Sequence, residues 1–383
     1  MNSTRIDFVT ESEDGTFVIP GGNMRNERAS AHGVMEGKGA YNRYARMQAG
    51  GMALALPLLE EAVQKIELIH GDQPVVIADY GVSQGKNSLA SMQVVIKTLR
   101  GSLGPDRPIF VFHIDQSTND FNTLFEVLAT DPDRYTQDEP NVFPCVIGRS
   151  FYETVFPQRY VHLAWSSYAA MWLSRIPALI PGHFVARRST GPAREAFERQ
   201  AAEDWEAFLS LRARELRPGG RLVVVLAALN DDGMSGFEDL MDHANAVLAE
   251  LVDEGAIWAD ERERMVLGLC PRRRRELLAP FQARGEFQDL RVERCDLAQL
   301  QDTAWADYDR DGNVEALVTK HALFFRSIFV PSLSLALSEA HSAERRRIFA
   351  DRFENGLKRR LANQPAPLHS FVQTMVLAKQ CWM

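Results

Sequence analysis

Residues 75–89, VVIADYGVSQGKNSL, decide how the rest of the chain is read. Residues 75–78 are a short apolar run of the kind that forms a buried parallel strand. Asp79 stands at the carboxyl end of that run. A turn with Gly81 and Gly85 follows, and Asn87 and Ser88 lead into a helical pattern. In open α/β sheets ligands sit outside the carboxyl ends of strands, where loop backbone can approach them. A strand ending in an acid and a glycine turn is therefore a candidate nucleotide cradle. Gly81-x-x-x-Gly85 is not the dinucleotide fingerprint G-x-G-x-x-G, and glycines in such turns also serve simply to supply positive φ.

Upstream, Ala53, Leu54, Leu56, Leu58, Leu59, Ala62, Val63, Ile66 and Leu68 give a helical apolar stripe that ends before Gly71. Downstream, Leu89, Met92, Val95, Ile96 and Leu99 predict a helix ending at Gly101 or Gly104. A second strand, PIFVFHID, closes on Asp115. An acid there can accept hydrogen bonds from ribose hydroxyls. The alternative is that these acids cap the helices that follow, above all Asp120. Residues 160–167, YVHLAWSS, predict another strand that runs into an aromatic-rich segment. A helix over about 191–217 leads to a Pro218-Gly219-Gly220 turn and the strand RLVVVLAAL. Beyond Asn230, residues 236–285 and 313–362 read as mostly helical, with strands at FQDLRVERCDL and HSFVQTMVLAK. The arginine run at 272–275 reads as a solvated helix start. Asp307-x-Asp309-x-Asp311-Gly312 opens like a calcium loop, but its twelfth position is Val318, so a polar loop is expected.

The chain has 383 residues, 45% of them apolar and 25% charged, with a net charge of −8. That acidity argues against nucleic-acid or anionic-membrane binding. Cys145, Cys270, Cys295 and Cys381 are scattered without metal-ligand spacing, and the N-terminus lacks targeting character. With no apolar run of membrane-spanning length, a cytoplasmic protein without a metal site is expected.

Several stretches together resemble the SABATH family, carboxyl methyltransferases acting on acids such as salicylate, benzoate and jasmonate, with N-methylating relatives. These stretches are MEGKGAYNRYARMQ, IADYGVSQGKNSL, FHIDQSTNDFNTLF, GRSFYETVFP, WSSYAAMWLSRIP, FLSLRARELRPGGRLVV and LVDEGAI. The resemblance implies an α/β fold, a Rossmann-like class I methyltransferase sheet under a helical cap. Its expected map is an arm at 1–34, a core at 35–235 with 286–300 and 368–380, and a cap at 236–285 and 301–365. It implies S-adenosylmethionine as cofactor, held by Tyr41, Asp79, Gly81, Asn87, Asp115, Gln116, Ser150, Phe151 and Tyr168. Gln48 and Trp172 would position the acceptor carboxylate. Tyr168, Met171, Met241, Phe325 and Ile328 would line its site, and a homodimer is the family expectation. Three departures stand out: Tyr44-Ala45 replaces an Asn-Ser pair, Gln116 an apolar residue, and Trp165 a histidine. The reaction implied is methyl-ester formation on a small, largely apolar carboxylic acid. The alternatives are N-methylation of a heterocycle or a cofactor-binding homologue that has lost catalysis.

Overall fold

The computed structural model describes residues 33, 35–36, 46–68, 73–338 and 343–381. The expected arm at 1–34 lies outside them except for residue 33, and Tyr41 lies outside as well. The helix α1 (Arg46–Gln64) precedes the strand β1 (Val75–Tyr80), whose six residues are all buried. After β1 come α2 (Lys86–Leu103), β2 (Ile109–Asp115), α3 (Phe121–Thr130), β3 (Val142–Gly148) and β4 (Val161–Ser167). The long helix α4 (Gly191–Glu215) then feeds directly into β5 (Leu216–Leu229).

β1 pairs in parallel with β2 on one side and with β4 on the other. The chain thus winds outward from β1 to β3, then returns to start the other half with β4 and β5. The gap between the carboxyl ends of β1 and β4 is the switch point at which doubly wound sheets bind ligands. Strand alternation separates two apolar cores. Val75 and Ile77 face α1 and α2, whereas Val76, Ala78 and Tyr80 face α4 and the later helices.

The last third of the chain alternates between helices and sheet. It begins with α5 (Glu238–Asp253), α6 (Ala259–Arg264), the two-residue β6 (Arg272–Arg273) and α7 (Arg274–Leu278). β7 (Glu286–Phe287) and β8 (Leu290–Gln299) follow, then α8 (Thr303–Asp311), α9 (Val314–Ser334), α10 (Ala343–Asn363) and β9 (Phe371–Lys379). β9 inserts antiparallel between β5 and β8, giving the order β3-β2-β1-β4-β5-β9-β8-β7. The apolar cluster under α5, α9 and α10 is continuous with the face of the sheet that carries Val76 and Ala78.

Three sequence expectations are corrected. The Pro218-Gly219-Gly220 run is an irregularity inside β5, where the pairing jumps from Val161↔Leu216 to Leu163↔Arg221. Gly219 has φ 76°, and a Cβ there would stand 2.6 Å from Cβ of Glu67, so glycine lets the segment after α1 lie against the strand. Residues 307–311 are the end of α8 rather than a polar loop, because Asp302 caps the helix through the amides of Ala304 and Trp305. In the arginine run, Arg272 is buried rather than solvated. Its guanidinium donates to the carbonyls of Ala170 and Ala201.

One buried polar cluster joins these layers. Arg212 and Glu215, near the end of α4, form an ion pair at 2.9 Å and are almost wholly enclosed. Glu215 accepts from the Tyr80 hydroxyl at 2.7 Å and from the amides of Val155 and Phe156. Arg212 donates to the carbonyls of Phe151 and Glu153, with its guanidinium 4.0 Å over the Tyr80 ring. Removing one partner of such a pair leaves a buried charge uncompensated, which costs about 3–5 kcal/mol. Urea unfolding of Arg212→Met should show a loss of about that size. A loss below about 1 kcal/mol would mean that the pair is solvated in solution.

Candidate active site

The site starts where β1 ends. Gly81 has φ 87°, and its amide donates to the Ile114 carbonyl at 2.8 Å. A Cβ on Gly81 would stand 2.1 Å from that of Ala169, so a side chain there would push the two strand ends apart. The turn places the Ser83 amide 2.7 Å from one Asp115 oxygen, and the Gln116 amide is 2.8 Å from the other. Asp120 caps α3 through the amide of Thr123, as its sequence position suggested.

Two acids therefore sit side by side at the strand ends. Enclosure pushes the Asp115 carboxyl up from 3.8 to about 6, against the pull of the two amides and with help from the Asp79 charge. Burial also raises Asp79, which accepts from the Ser88 hydroxyl. His113 works the other way, with Nδ1 3.4 Å from Asp79 and Nε2 2.8 Å from the Tyr135 hydroxyl.

Three hollows meet around Tyr168. A cleft of about 600 Å³ is walled by Gly81, Asp115, Gln116, Ser150, Phe151 and Trp172. A hollow of about 20 Å³ lies among Gln48, Asp79, Asn87 and Ser88. A third, of about 70 Å³ and mostly apolar, is lined by Met171, Met241, Phe324, Ile328 and Phe329. Tyr168 belongs to all three, and Gln48 to the second and third. Tyr168 holds a left-handed backbone at φ 54°, a strain seen where surrounding structure fixes a functional side chain. Its hydroxyl lies where a Cβ of Gly51 would be, 1.8 Å away, so α1 can approach only through a glycine.

Most residues singled out in the sequence converge here. Asp79, Gly81, Asn87, Asp115, Gln116, Ser150, Phe151 and Tyr168 surround the cleft or the small hollow. Gln48, Met171, Met241 and Ile328 line the apolar cavity. Phe325 does not reach it. That ring is fully buried, stacked on Phe353 at 5.2 Å and edge-on to Phe184. One step along α9 turns a side chain by about a quarter of a circle, so Phe324 takes the cavity position instead. Trp172 lies on the cleft side, with its ring centroid 6.4 Å from that of Phe329 in the cavity wall. Sequence reasoning missed Phe329, Arg187, Ser83 and Ser167. Phe329 follows Phe325 by one helical turn, a signal that could have been used, whereas Ser83 lies in the turn after β1 and Ser167 is the last residue of β4, neither with a periodic signature of its own.

The cleft suits a polar ligand. The hydroxyls of Ser83 and Ser167, both in its wall, are buried and without a hydrogen-bond partner among the described residues. Gly33 and Met35 also line it, and beside them the Glu36 amide donates to the Ser327 carbonyl of α9 and Gln84 donates to the Glu36 carbonyl.

A family model for "SAM dependent carboxyl methyltransferase" matches residues 29–379. The chain belongs to that family. Among its relatives, Gibberellic acid methyltransferase 2 of Arabidopsis thaliana is 26% identical, over 80% of this chain and 82% of its own. A benzoic acid/salicylic acid carboxyl methyltransferase of Petunia hybrida is 30% identical, over 58% of this chain and 66% of its own. The match to methyltransferase LUC1 of Fusarium sp, at 30% identity, spans 59% of that protein's length. A solved structure of loganic acid methyltransferase with SAH covers 91% of this chain and 99% of its own, with TM-score 0.72 and 24% identity, and so shares the fold. S-adenosylmethionine is the cofactor of this family, and the cleft's orphaned hydroxyls and Asp115, with Asp79 in the adjoining hollow, fit it.

The raised Asp115 value gives a pH signature. In the unfolded chain this carboxyl ionises near 3.8, so its ionisation weakens the fold as pH rises from about 4 to 6. A ribose donating to it would favour the charged form, and cofactor binding should then be constant above about pH 7 and fall as pH drops through about 6. Calorimetry with S-adenosylhomocysteine should show that fall. Asp115→Asn should flatten this step and lower affinity at neutral pH by about 1.5–3 kcal/mol. Unchanged affinity in a folded Asp115→Asn variant would remove the ribose role.

Proposed function

We propose that this protein forms the methyl ester of a small, largely apolar carboxylic acid, with S-adenosylmethionine in the cleft and the acid in the apolar cavity. The observation that carries the reading is the meeting of a polar cleft and an apolar cavity at Tyr168, with Gln48 shared by that cavity and the small hollow beside Asp79 and Asn87. In this reading Asp115 accepts from the ribose, Gln116, Ser150 and Phe151 flank the adenine, and Asp79 and Asn87 face the methionine end. The core at 35–235, 286–300 and 368–380 binds the cofactor, and the cap at 236–285 and 301–365 walls the acceptor. The protein works as a cytoplasmic homodimer, a reading supported by the family expectation and by four cysteines that are all unpaired.

When bound, S-adenosylmethionine supplies an electrophilic methyl group on a sulfonium. A carboxylic acid is already ionised at neutral pH, so the protein need not remove a proton. Its residues supply alignment and dryness instead. The Gln48 amide donates to one carboxylate oxygen from the cavity side, and the Trp172 indole N–H donates to the other from the cleft side. Neutral donors orient the oxygens without quenching their charge as a guanidinium would. Met171, Met241 and Ile328 take the hydrocarbon part and keep water away.

A panel of aromatic and aliphatic acids with methyl-labelled S-adenosylmethionine tests the reading, and a methyl ester is the expected product. A product methylated on nitrogen, or none, would overturn it. On the best acid, Trp172→Phe should lower kcat/KM by about 10- to 150-fold, the loss of one charge-assisted hydrogen bond. Gln48→Leu should act similarly, and the double variant should be non-additive, since a carboxylate held at one oxygen already pivots. A Trp172→Phe enzyme with lowered Tm and unchanged kcat/KM would make the tryptophan a packing residue only.

A further inference from the structure

Resting on the carboxylate reading of the cavity, we propose that Arg187 selects acids bearing a second, uncharged oxygen (ketone, ester carbonyl or hydroxyl) away from the carboxyl group. The cavity wall is mostly apolar, with Val185, Met241, Leu269 and Phe324, and Arg187 is the one cation among its described lining residues. Arg187 enters from a short turn (Ala186–Arg188) ahead of α4, the helix on the opposite face of the sheet from α1 and Gln48. An acid filling the cavity therefore meets Gln48 from one layer of the molecule and Arg187 from another.

The donors of Arg187 are unevenly used. Nη1 donates to Glu198 at 3.1 Å, and Nη2 lies 3.4 Å from the Pro271 carbonyl and 3.5 Å from Glu276. The Nε–H is shut off from solvent and meets no acceptor among the described residues. A buried N–H without an acceptor is unfavourable, and an oxygen on the bound acid relieves it. The unpartnered Nε–H offers a hydrogen bond to one oxygen. Gripping a second carboxylate would take that N–H together with a terminal one, and Nη1 and Nη2 each already have a protein acceptor. Burying that second charge among phenylalanine and methionine side chains would cost more than a single hydrogen bond returns. Hence the oxygen is uncharged.

A purely structural Arg187, tying its turn to α4 and α7 through Glu198 and Glu276, would leave substrate preference untouched. The test is therefore a ratio measured on one preparation. With saturating S-adenosylmethionine, kcat/KM is measured for octanoic acid, for keto- and hydroxy-octanoic acids with the oxygen stepped along the chain, and for octanedioic acid. At least one oxygenated acid should exceed octanoic acid by on the order of tenfold or more. Arg187→Met should bring that ratio to within about twofold. Should Arg187→Met fail to fold, Arg187→Lys keeps a cation beside Glu198 and Glu276 while removing Nε–H, and should also collapse the ratio. Equal rates for octanoic and oxygenated acids, a ratio unchanged in the folded variant, or a preference for the diacid would each overturn the inference. Absence of ester from every acid would instead overturn the carboxyl methyltransferase reading on which it rests.

Discussion

The buried ion pair between Arg212 and Glu215 holds together the parts on which the site depends. It anchors the end of β1 through the Tyr80 hydroxyl and pins residues 151–156 through backbone amides and carbonyls. Burial raises Tyr80 well above its usual titration range, so its hydroxyl remains a donor to Glu215. Two charges out of water are tolerable only when their remaining hydrogen-bonding capacity is met, and here much of it is met by the backbone of residues 151–156, which includes the cleft-lining Phe151. Stability of the core and shape of the cleft are thus one property. Loosening α4 would loosen the floor on which Phe151 sits.

Above that floor, the site works by separating two environments. Gly81 lets the ends of β1 and β4 close on each other, and Gly51 lets α1 lie against the Tyr168 hydroxyl. Tyr168 becomes the shared wall between a cleft rich in oxygen acceptors and a cavity of methionine and phenylalanine. Methyl transfer to a carboxylate suits such a partition. The electrophile needs polar recognition of a nucleoside and an amino acid, whereas the nucleophile gains from an environment that does not solvate it. The apolar cavity, at about 70 Å³, is smaller than the roughly 150 Å³ that holds a benzene-sized guest. Its flexible lining, Met171 and Met241, can adjust to different guests.

The core was legible because its signals are local. The run at 75–78 became a fully buried strand, extended to Tyr80, and PIFVFHID ended on an acid that lines the cleft. The helices after β5 were less legible because their stripes face several neighbours at once. Phe324 and Phe325 differ by one position, and only packing of Phe325 against Phe184 and Phe353 leaves Phe324 to line the cavity. Arg272 follows the same logic: a run of four arginines looks solvated in sequence, yet two backbone carbonyls recruit its first member into the interior. Arg187 had no sequence signal, since its place in the cavity wall depends on elements far apart in the chain.

The central claim is that the protein aligns an already ionised carboxylate and removes no proton. Single-turnover ester formation with both substrates saturating tests this directly, followed across about pH 6.5 to 9 on the best acid. A rate constant that stays level over this range is the predicted result. A rate that climbs about tenfold per pH unit to a plateau would report a catalytic base, and would contradict a site built from neutral donors.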